Sequence, residues 1–383
     1  MKRVFSKIDK PLLITTIIFF IFGLVMILSA SSMESYMRYG SSPYIYFFRQ
    51  LAFTAVGSLL FLITIRIPTK AYKSLSYIFM VLIILGLIGL TAYGYAAKNA
   101  QSWFQLGPVN IQPSEFAKVI IILFLASYYN KNKASLNNSW ILIKPLIPVF
   151  IIFVLVAIQP DFGTAMLIGL ISFFVFFSLP MGKLCRFKFS SLIVCLIFIG
   201  TIALIFTKGL FLKPYQLQRL NFKDPCERYQ DETGYQLCNS FIAFKNGNIT
   251  GQGLGMSTQK YLYLPESYTD FIFPIIVEEW GLIVGIIIIL LYLFIIYRIY
   301  IIARKANDLT GSLIAYGVCM YLFLHISINL MGVMGLGPLT GIPLPFLSYG
   351  GSYAISLIIS LALVQRVAIE SNKKNKKKKT KEA

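Results

Sequence analysis

Apolar side chains in this chain come in long runs, neither alternating nor confined to one helical face. Ten stretches, near 11–31, 48–65, 75–94, 114–129, 145–159, 162–180, 190–207, 270–297, 311–332 and 352–368, are almost free of charge. A hydrocarbon core of ~30 Å takes about 20 helical residues to cross, so each stretch predicts a membrane-spanning helix, the fifth being the shortest. The fifth and sixth are separated only by Gln159-Pro160-Asp161, which predicts a tight helical hairpin. The first stretch is too long for a cleavable signal, and no small-residue cleavage site precedes a soluble domain. The expectation is an all-α integral membrane protein with ten transmembrane helices.

Composition narrows the class further. Of 383 residues 57% are apolar and only 13% charged, and the mean hydropathy is +0.73; a soluble chain carries about a quarter charged residues. Soluble enzymes, disordered proteins and disulfide scaffolds are excluded. The formal charge of +20 would suggest a nucleic-acid partner in a soluble protein, but its distribution gives another reading. Basic residues fall in every second connection, from Lys2 and Arg3, through Arg66, Lys70 and Lys73, to Arg298, Arg304 and Lys305. With the C-terminal lysines, that set holds 24 of the 35. Lys and Arg stay on the cytoplasmic side, so both termini are placed inside. The loops 32–47, 95–113, 208–269 and 333–351 are then external, the largest lying between helices 7 and 8. Residues 1–368 read as one polytopic domain and 369–383 as a polybasic cytoplasmic tail facing anionic lipid headgroups, with no nucleic acid. No fixed-period repeat is evident, nor the inverted symmetry of many transporters.

Against this background acidic residues near spans are informative, because lipid tolerates them poorly. Glu115, Asp161 and Asp270 lie at external ends of spans. Gln112-Pro113-Ser114-Glu115 and Gln159-Pro160-Asp161 also suit simple helix starts, where Pro and acids are favoured, and Glu115 can pair with Lys118 one turn on. Asp270 follows the long external loop and opens the longest apolar helix; it suits either an N-terminal acid or a functional group. Glu278 and Glu279 lie eight and nine residues later, about 12–13.5 Å further along a straight helix, which suits an architectural role. Gly251, Gly253 and Gly255 form a Gly-Gln-Gly-Leu-Gly run, a weak phosphate-loop signal without the Lys and Ser/Thr of a P-loop. His325 is the only histidine and lies within a span, so neither a His-based triad nor a zinc site is indicated. Cys226 and Cys238 share the external loop, where a disulfide could form.

The strings QPSEFAK (112–118), QPDFGTA (159–165), GYQ (234–236), GQGLGMSTQKYLYLPE (251–266), TDFIF (269–273), EEWG (278–281) and PLTGIPLPFLSYGGS (338–352) resemble, in order and topology, the SEDS family of bacterial shape, elongation, division and sporulation proteins. The segment 257–266 is more similar to its division-associated branch than to its elongation branch. The resemblance implies a glycosyltransferase of peptidoglycan synthesis that polymerises lipid II at the outer face of the cytoplasmic membrane, probed most directly by polymerisation of lipid II. It implies Asp270 as general base, with Arg219, Lys260, Glu115, Lys118, Asp161, Ser348 and Tyr349 as substrate-binding residues. Arg49 is a further external cation, and Pro343 and Pro345 would shape a cavity wall. A divalent cation (Mg or Mn) bridging pyrophosphate oxygens is compatible with this chemistry, although no protein metal cage is visible. The implied partners are lipid II, undecaprenyl-pyrophosphate-linked glycan, a cognate class B penicillin-binding protein, divisome membrane proteins and membrane lipids, at the division septum. Tyr268 stands where the family often has His, and Gly-Gly-Ser-Tyr (350–353) replaces Gly-Gly-Ser-Ser. A lipid II flippase and an elongation-type polymerase are the rival implications.

Overall fold

The computed structural model describes residues 7–40, 42–93, 95–97, 100–106, 109–183, 185–191 and 221–382. The seventh expected span, 190–207, falls almost wholly outside the described residues, and Arg219 lies outside them. Eleven longer helices are named here: α1 (Lys10–Tyr39), α2 (Ile45–Thr64), α3 (Tyr72–Tyr93), α4 (Pro113–Lys131), α5 (Ser139–Ile143), α6 (Leu146–Ile158), α7 (Phe162–Phe177), α8 (Glu232–Gly247), α9 (Ile272–Arg304), α10 (Leu309–Val333) and α11 (Gly351–Glu382). Among the described residues seven helical segments are long and apolar enough to cross a membrane, α5 and α6 counting as one through Ser139–Ile158. The helix α7 is apolar but shorter, and α4 carries Glu115 and Lys118 inside the protein.

α10 and α11 form the centre, with 72% and 89% of their apolar stretches buried, whereas α2 at 11% faces outward. Both ends of the bundle are marked by contacts between distant residues. At one end Asp9 caps α1 by accepting from the Leu12 amide at 3.0 Å and pairs with Arg298. Gln365 of α11 exchanges two hydrogen bonds with the Asp9 backbone, so the start of the first helix and the membrane exit of the last share that end.

Four expectations are corrected. The external loop 95–113 is not plain coil. It forms a three-stranded antiparallel sheet of β1 (Tyr95–Ala97), β2 (Ala100–Leu106) and β3 (Val109–Ile111), so the fold is not wholly α. The first helix does not stop near residue 31. It runs to Tyr39 and ends at Gly40, whose left-handed φ of 65° lets its amide close on the Tyr36 carbonyl. Asp270 does not open α9: Phe271 holds the N-cap position, without a side-chain cap bond. Nor is α9 straight, since Gly281 breaks it with φ 82° and ψ 170°. Because Asp270 stands outside α9, the distances reckoned from it along a straight helix do not apply. Gln159 and Asp161 do make the tight turn expected between α6 and α7, with Asp161 capping α7 through the Thr164 amide at 3.1 Å.

Candidate functional site

The residues 338–350, between α10 and α11, organise one end of the bundle. They carry no helix, yet Ile342, Leu344, Phe346, Leu347 and Ser348 are all buried. Buried irregular backbone needs partners for its peptide groups, and α9 and α10 supply them. The Ile342 carbonyl accepts from Asn329 at 2.8 Å, Pro343 O faces the His325 ring at 3.3 Å, and Pro345 O accepts from the Tyr292 hydroxyl. Gly23 of α1 lies against the Phe346 carbonyl so closely that a Cβ there would meet it at 2.2 Å. The Pro-rich sequence fits this role, because Pro343 and Pro345 bring carbonyl acceptors without amide donors to satisfy.

Asp270 meets this loop. Half-buried, it stands two residues before α9, and a Cβ on Gly341 would lie 3.2 Å from its Oδ2. Its own carbonyl accepts from Asn329 Nδ2 at 2.8 Å. Ser348 and Tyr349 come to the same place: Ser348 Oγ donates to the Thr269 carbonyl at 2.6 Å, and the Tyr349 amide donates to the Tyr268 carbonyl at 2.9 Å. Gly163, two residues into α7, abuts the Thr340 carbonyl, which brings the Asp161 turn to the loop as well. The Asp161 carboxylate accepts from Gln112 Nε2 at 2.9 Å, and the Gln112 amide donates to Ser352 Oγ at 3.0 Å.

A cluster of tyrosines and arginines lies beside Asp270. The Tyr268 ring is 4.7 Å from Tyr46 and 5.8 Å from Tyr349. Burial pushes the Tyr268 phenol well above its ordinary value, with Glu266 and Glu34 adding to the rise; burial likewise pushes Tyr349 up to about 12. Both are neutral hydrogen-bonding groups at ordinary pH. Where α1 ends and α2 begins, Arg38 donates to the Tyr46 hydroxyl at 3.2 Å and Arg49 to the Tyr39 hydroxyl at 2.8 Å.

The two lysines expected to face substrate are instead buried in ion pairs. Lys118 Nζ lies 2.9 Å from Glu115 Oε1 and 3.1 Å from His325 Nε2, between the rings of Tyr321 and Tyr353. Lys260 Nζ lies 2.9 Å from Glu279 Oε1 and donates to Ser29 Oγ and the Gly255 carbonyl. Glu278 accepts from Asn246, from Ser257 and from the Thr258 hydroxyl, and its oxygens also face the Thr258 and Gln259 amides. These two glutamates pin the loop 246–260, an architectural use in keeping with their burial.

The glycine run of that loop has a backbone role. Where α9 breaks, the Glu278 and Glu279 carbonyls accept from the Gln252 and Gly253 amides at 2.9 Å, while the Leu282 and Ile283 amides donate to Asn248 and Ile249. A Cβ on Gly251 would meet Glu279 O at 2.4 Å, and one on Gly281 would meet Ile249 O at 2.3 Å. Positive φ at both residues fits glycine alone. Cys226 and Cys238 are disulfide-bonded across a separation of 12 residues, fixing the start of α8.

Sequence reasoning missed Asn329, Arg38, Gly341 and Gln50, whose Oε1 accepts from the Gly350 amide at 3.1 Å. Asn329 offered a signal, as a polar side chain inside an apolar span; Arg38 offered another, as a basic residue on the side where such residues are the minority. Among the described residues no group of three or more His, Cys, Asp or Glu is placed to hold a metal. These described residues offer no cage for a protein-held divalent cation.

The family model for FtsW/RodA/SpoVE, described as cell cycle protein, matches residues 10–373. The probable peptidoglycan glycosyltransferase FtsW of Bacillus subtilis (strain 168) is 37% identical over 390 residues, covering 99% of this chain and 95% of that protein. Its namesake in Coxiella burnetii is 35% identical over 370 residues, covering 95% and 96%. Among solved structures, a chain of a peptidoglycan synthase complex superposes with a TM-score of 0.72 at 24% identity, covering 95% of this chain and 98% of that one. Thermus thermophilus rod shape determining protein RodA gives 0.64 at 22%, covering 94% and 96%. At these identities the two structures speak to the fold.

Proposed function

The chain belongs to the FtsW/RodA/SpoVE family of cell cycle proteins, and from that premise we propose that it is a peptidoglycan glycosyltransferase of cell division, polymerising lipid II at the outer face of the cytoplasmic membrane. The observation that carries the reading is identity over nearly the whole chain with proteins named for that activity, 37% in the Bacillus subtilis relative. A multi-pass protein of ten spans with both termini cytoplasmic fits the charge pattern, with 190–207 as the seventh. The working site is the division septum, and the partner is a class B penicillin-binding protein that crosslinks the product.

In this reading Asp270 is the general base. It takes the proton from the 4-hydroxyl of the acceptor sugar as that oxygen bonds to C1 of the donor, and the C1–oxygen bond to the lipid pyrophosphate breaks. A base in hydrogen-bond reach of the nucleophile contributes typically 10²–10⁴-fold. Its place between the Gly341 turn and the tyrosine cluster supports this role. The leaving pyrophosphate needs cations. Lys118 and Lys260 already compensate Glu115 and Glu279, so Arg38 and Arg49, held on phenol hydroxyls at the same end, are assigned to it together with Arg219.

The test is lipid II polymerisation by the purified chain with its penicillin-binding partner. Wild type is expected to make glycan polymer, and Asp270→Asn to abolish it with unfolding behaviour unchanged. Full activity in Asp270→Asn would remove the base assignment; no polymer from folded wild type would remove the function.

A further inference from the structure

Three consecutive carbonyls, those of Tyr268, Thr269 and Asp270, precede α9, and each is held by a different donor from the end of the chain. The Tyr349 amide holds the first at 2.9 Å, Ser348 Oγ the second at 2.6 Å, and Asn329 Nδ2 the third at 2.8 Å. Asn329 is buried, at 5% exposure, and the same amide nitrogen also donates to Ile342 O at 2.8 Å. One amide group thus ties the Asp270 backbone to the loop whose Gly341 backs the carboxylate. Ser348 is fixed in turn, because its hydroxyl accepts from the Leu344 amide at 2.7 Å.

We propose that Asn329 and Ser348 are positioning residues for Asp270, forming a carbonyl clamp that fixes its carboxylate for catalysis without touching substrate. This rests on the reading of Asp270 as the base. The physical reason is that Asp270 lies outside the helix, so helical hydrogen bonds do not set its direction, and the clamp adds to a turn in which the Thr269 and Phe271 amides donate to the Glu266 carbonyl at 3.1 Å. A base displaced by about 1 Å can lose 10²-fold in rate. It also reassigns Ser348, expected from sequence to bind substrate, to a role exercised through the backbone of Thr269.

The experiment measures kcat and KM for lipid II polymerisation by the full chain with its penicillin-binding partner, in Asn329→Leu and Ser348→Ala. Asn329→Leu keeps a similar volume and removes both donated bonds; kcat is expected to fall about 10–100-fold with KM within about threefold. Ser348→Ala removes one bond to the Asp270 segment, with the bond accepted from the Leu344 amide, and should lower kcat about three- to tenfold, again with KM little changed. Should Asn329→Leu fail to fold, Ser348→Ala carries the test alone. The clamp is overturned if the folded variants keep kcat within twofold of wild type, or if Ser348→Ala acts by raising KM, which would mark direct substrate binding. Asp270→Asn is run alongside. If it is inactive while Asn329→Leu and Ser348→Ala behave as wild type, the clamp alone fails; if it remains active, the base assignment itself fails.

Discussion

The Lys260–Glu279 pair separates a structural cation from a substrate-binding one. Side-chain exposure is 3% for Lys260 and 0% for Glu279, and Lys260 Nζ makes three contacts, to Glu279, Ser29 Oγ and Gly255 O, at 2.7–2.9 Å. Lys260→Met keeps the length and removes the charge. Glu279 would then retain the Ser29 hydroxyl at 2.6 Å, while its Oε2 has no hydrogen-bond partner. Breaking one side of a buried pair costs about 3–5 kcal/mol, a large part of a folding stability of about 5–15 kcal/mol. Replacing both partners by apolar residues removes the stranded charge. Lys260→Met/Glu279→Leu should therefore lose only about 1–2 kcal/mol, from the bonds to Ser29 and Gly255, giving a coupling above ~2 kcal/mol in the double-mutant cycle. The assays are unfolding by SDS titration in mixed micelles and lipid II polymerisation on the same preparations. A structural pair predicts that the double variant regains both stability and activity. A double variant that is stable but as inactive as Lys260→Met would refute this reasoning, because Lys260 would then act on substrate directly.

Four other perturbations test the fold. Gly281→Ala forces a Cβ onto Ile249 O at a φ of 82°, and should cost at least about 2–3 kcal/mol and abolish polymerisation; Gly86→Ala, with nothing within 4 Å of the new Cβ, should stabilise α3 by up to ~1 kcal/mol in the same SDS titration. Replacing Cys226 and Cys238 by Ser should lower stability by about 2–4 kcal/mol, read as faster proteolysis around residues 221–247, with polymerisation retained. The Tyr349 phenol, raised to about 12, makes a contribution to stability that is complete below its ordinary value near 10 and lost as pH rises through about 12. A phenolate absorbance titration that loses its high-pH step in Tyr349→Phe checks this, and a step near pH 10 would contradict it.

The spans were legible because lipid-facing helices must be continuously apolar. Their ends were not, because hydropathy does not distinguish lipid from protein as the apolar neighbour. α1 continues to Tyr39 through residues that read as polar loop but pack on α2 and the 266–270 turn, with Ser267 Oγ donating to the Ala30 carbonyl. The ion pairs were half legible. Glu115 and Lys118 sit one turn apart on one helix, a local relation that sequence spacing reveals. Lys260 looked like a free external cation because its partners are 19 and 231 positions away. The glycine run read as only a weak phosphate-loop signal, and its partner, the opened peptide groups around Gly281, shows only in the fold. Asn329 was missed for a simpler reason: a neutral amide contributes nothing to a count of charges.

The break at Gly281 explains how Asp270 can meet Asn329 at all. The helices α9 and α10 are joined by residues 305–308, so their inner ends are side by side. From Leu309 to Asn329 is 20 residue steps, about 30 Å of rise; from Arg304 back to Ile272 is 32 steps, about 48 Å if straight. A straight α9 would carry Asp270 roughly 18 Å past Asn329, yet their hydrogen bond is 2.8 Å. Breaking at Gly281 removes the excess. Residues 282–304 rise about 33 Å, matching a ~30 Å hydrocarbon core, and expose Leu282, Ile283, Ile286, Ile287, Leu290 and Leu293 on their outer side. Residues 272–279 are all buried, as a segment turned across the protein requires. The peptide groups freed by the turn are taken by residues 248–253, and Glu278 and Glu279 hold that loop in place. The glycine loop, the two buried glutamates and Lys260 therefore serve one geometric end, which is to bend α9 so that Asp270 reaches the 338–350 segment.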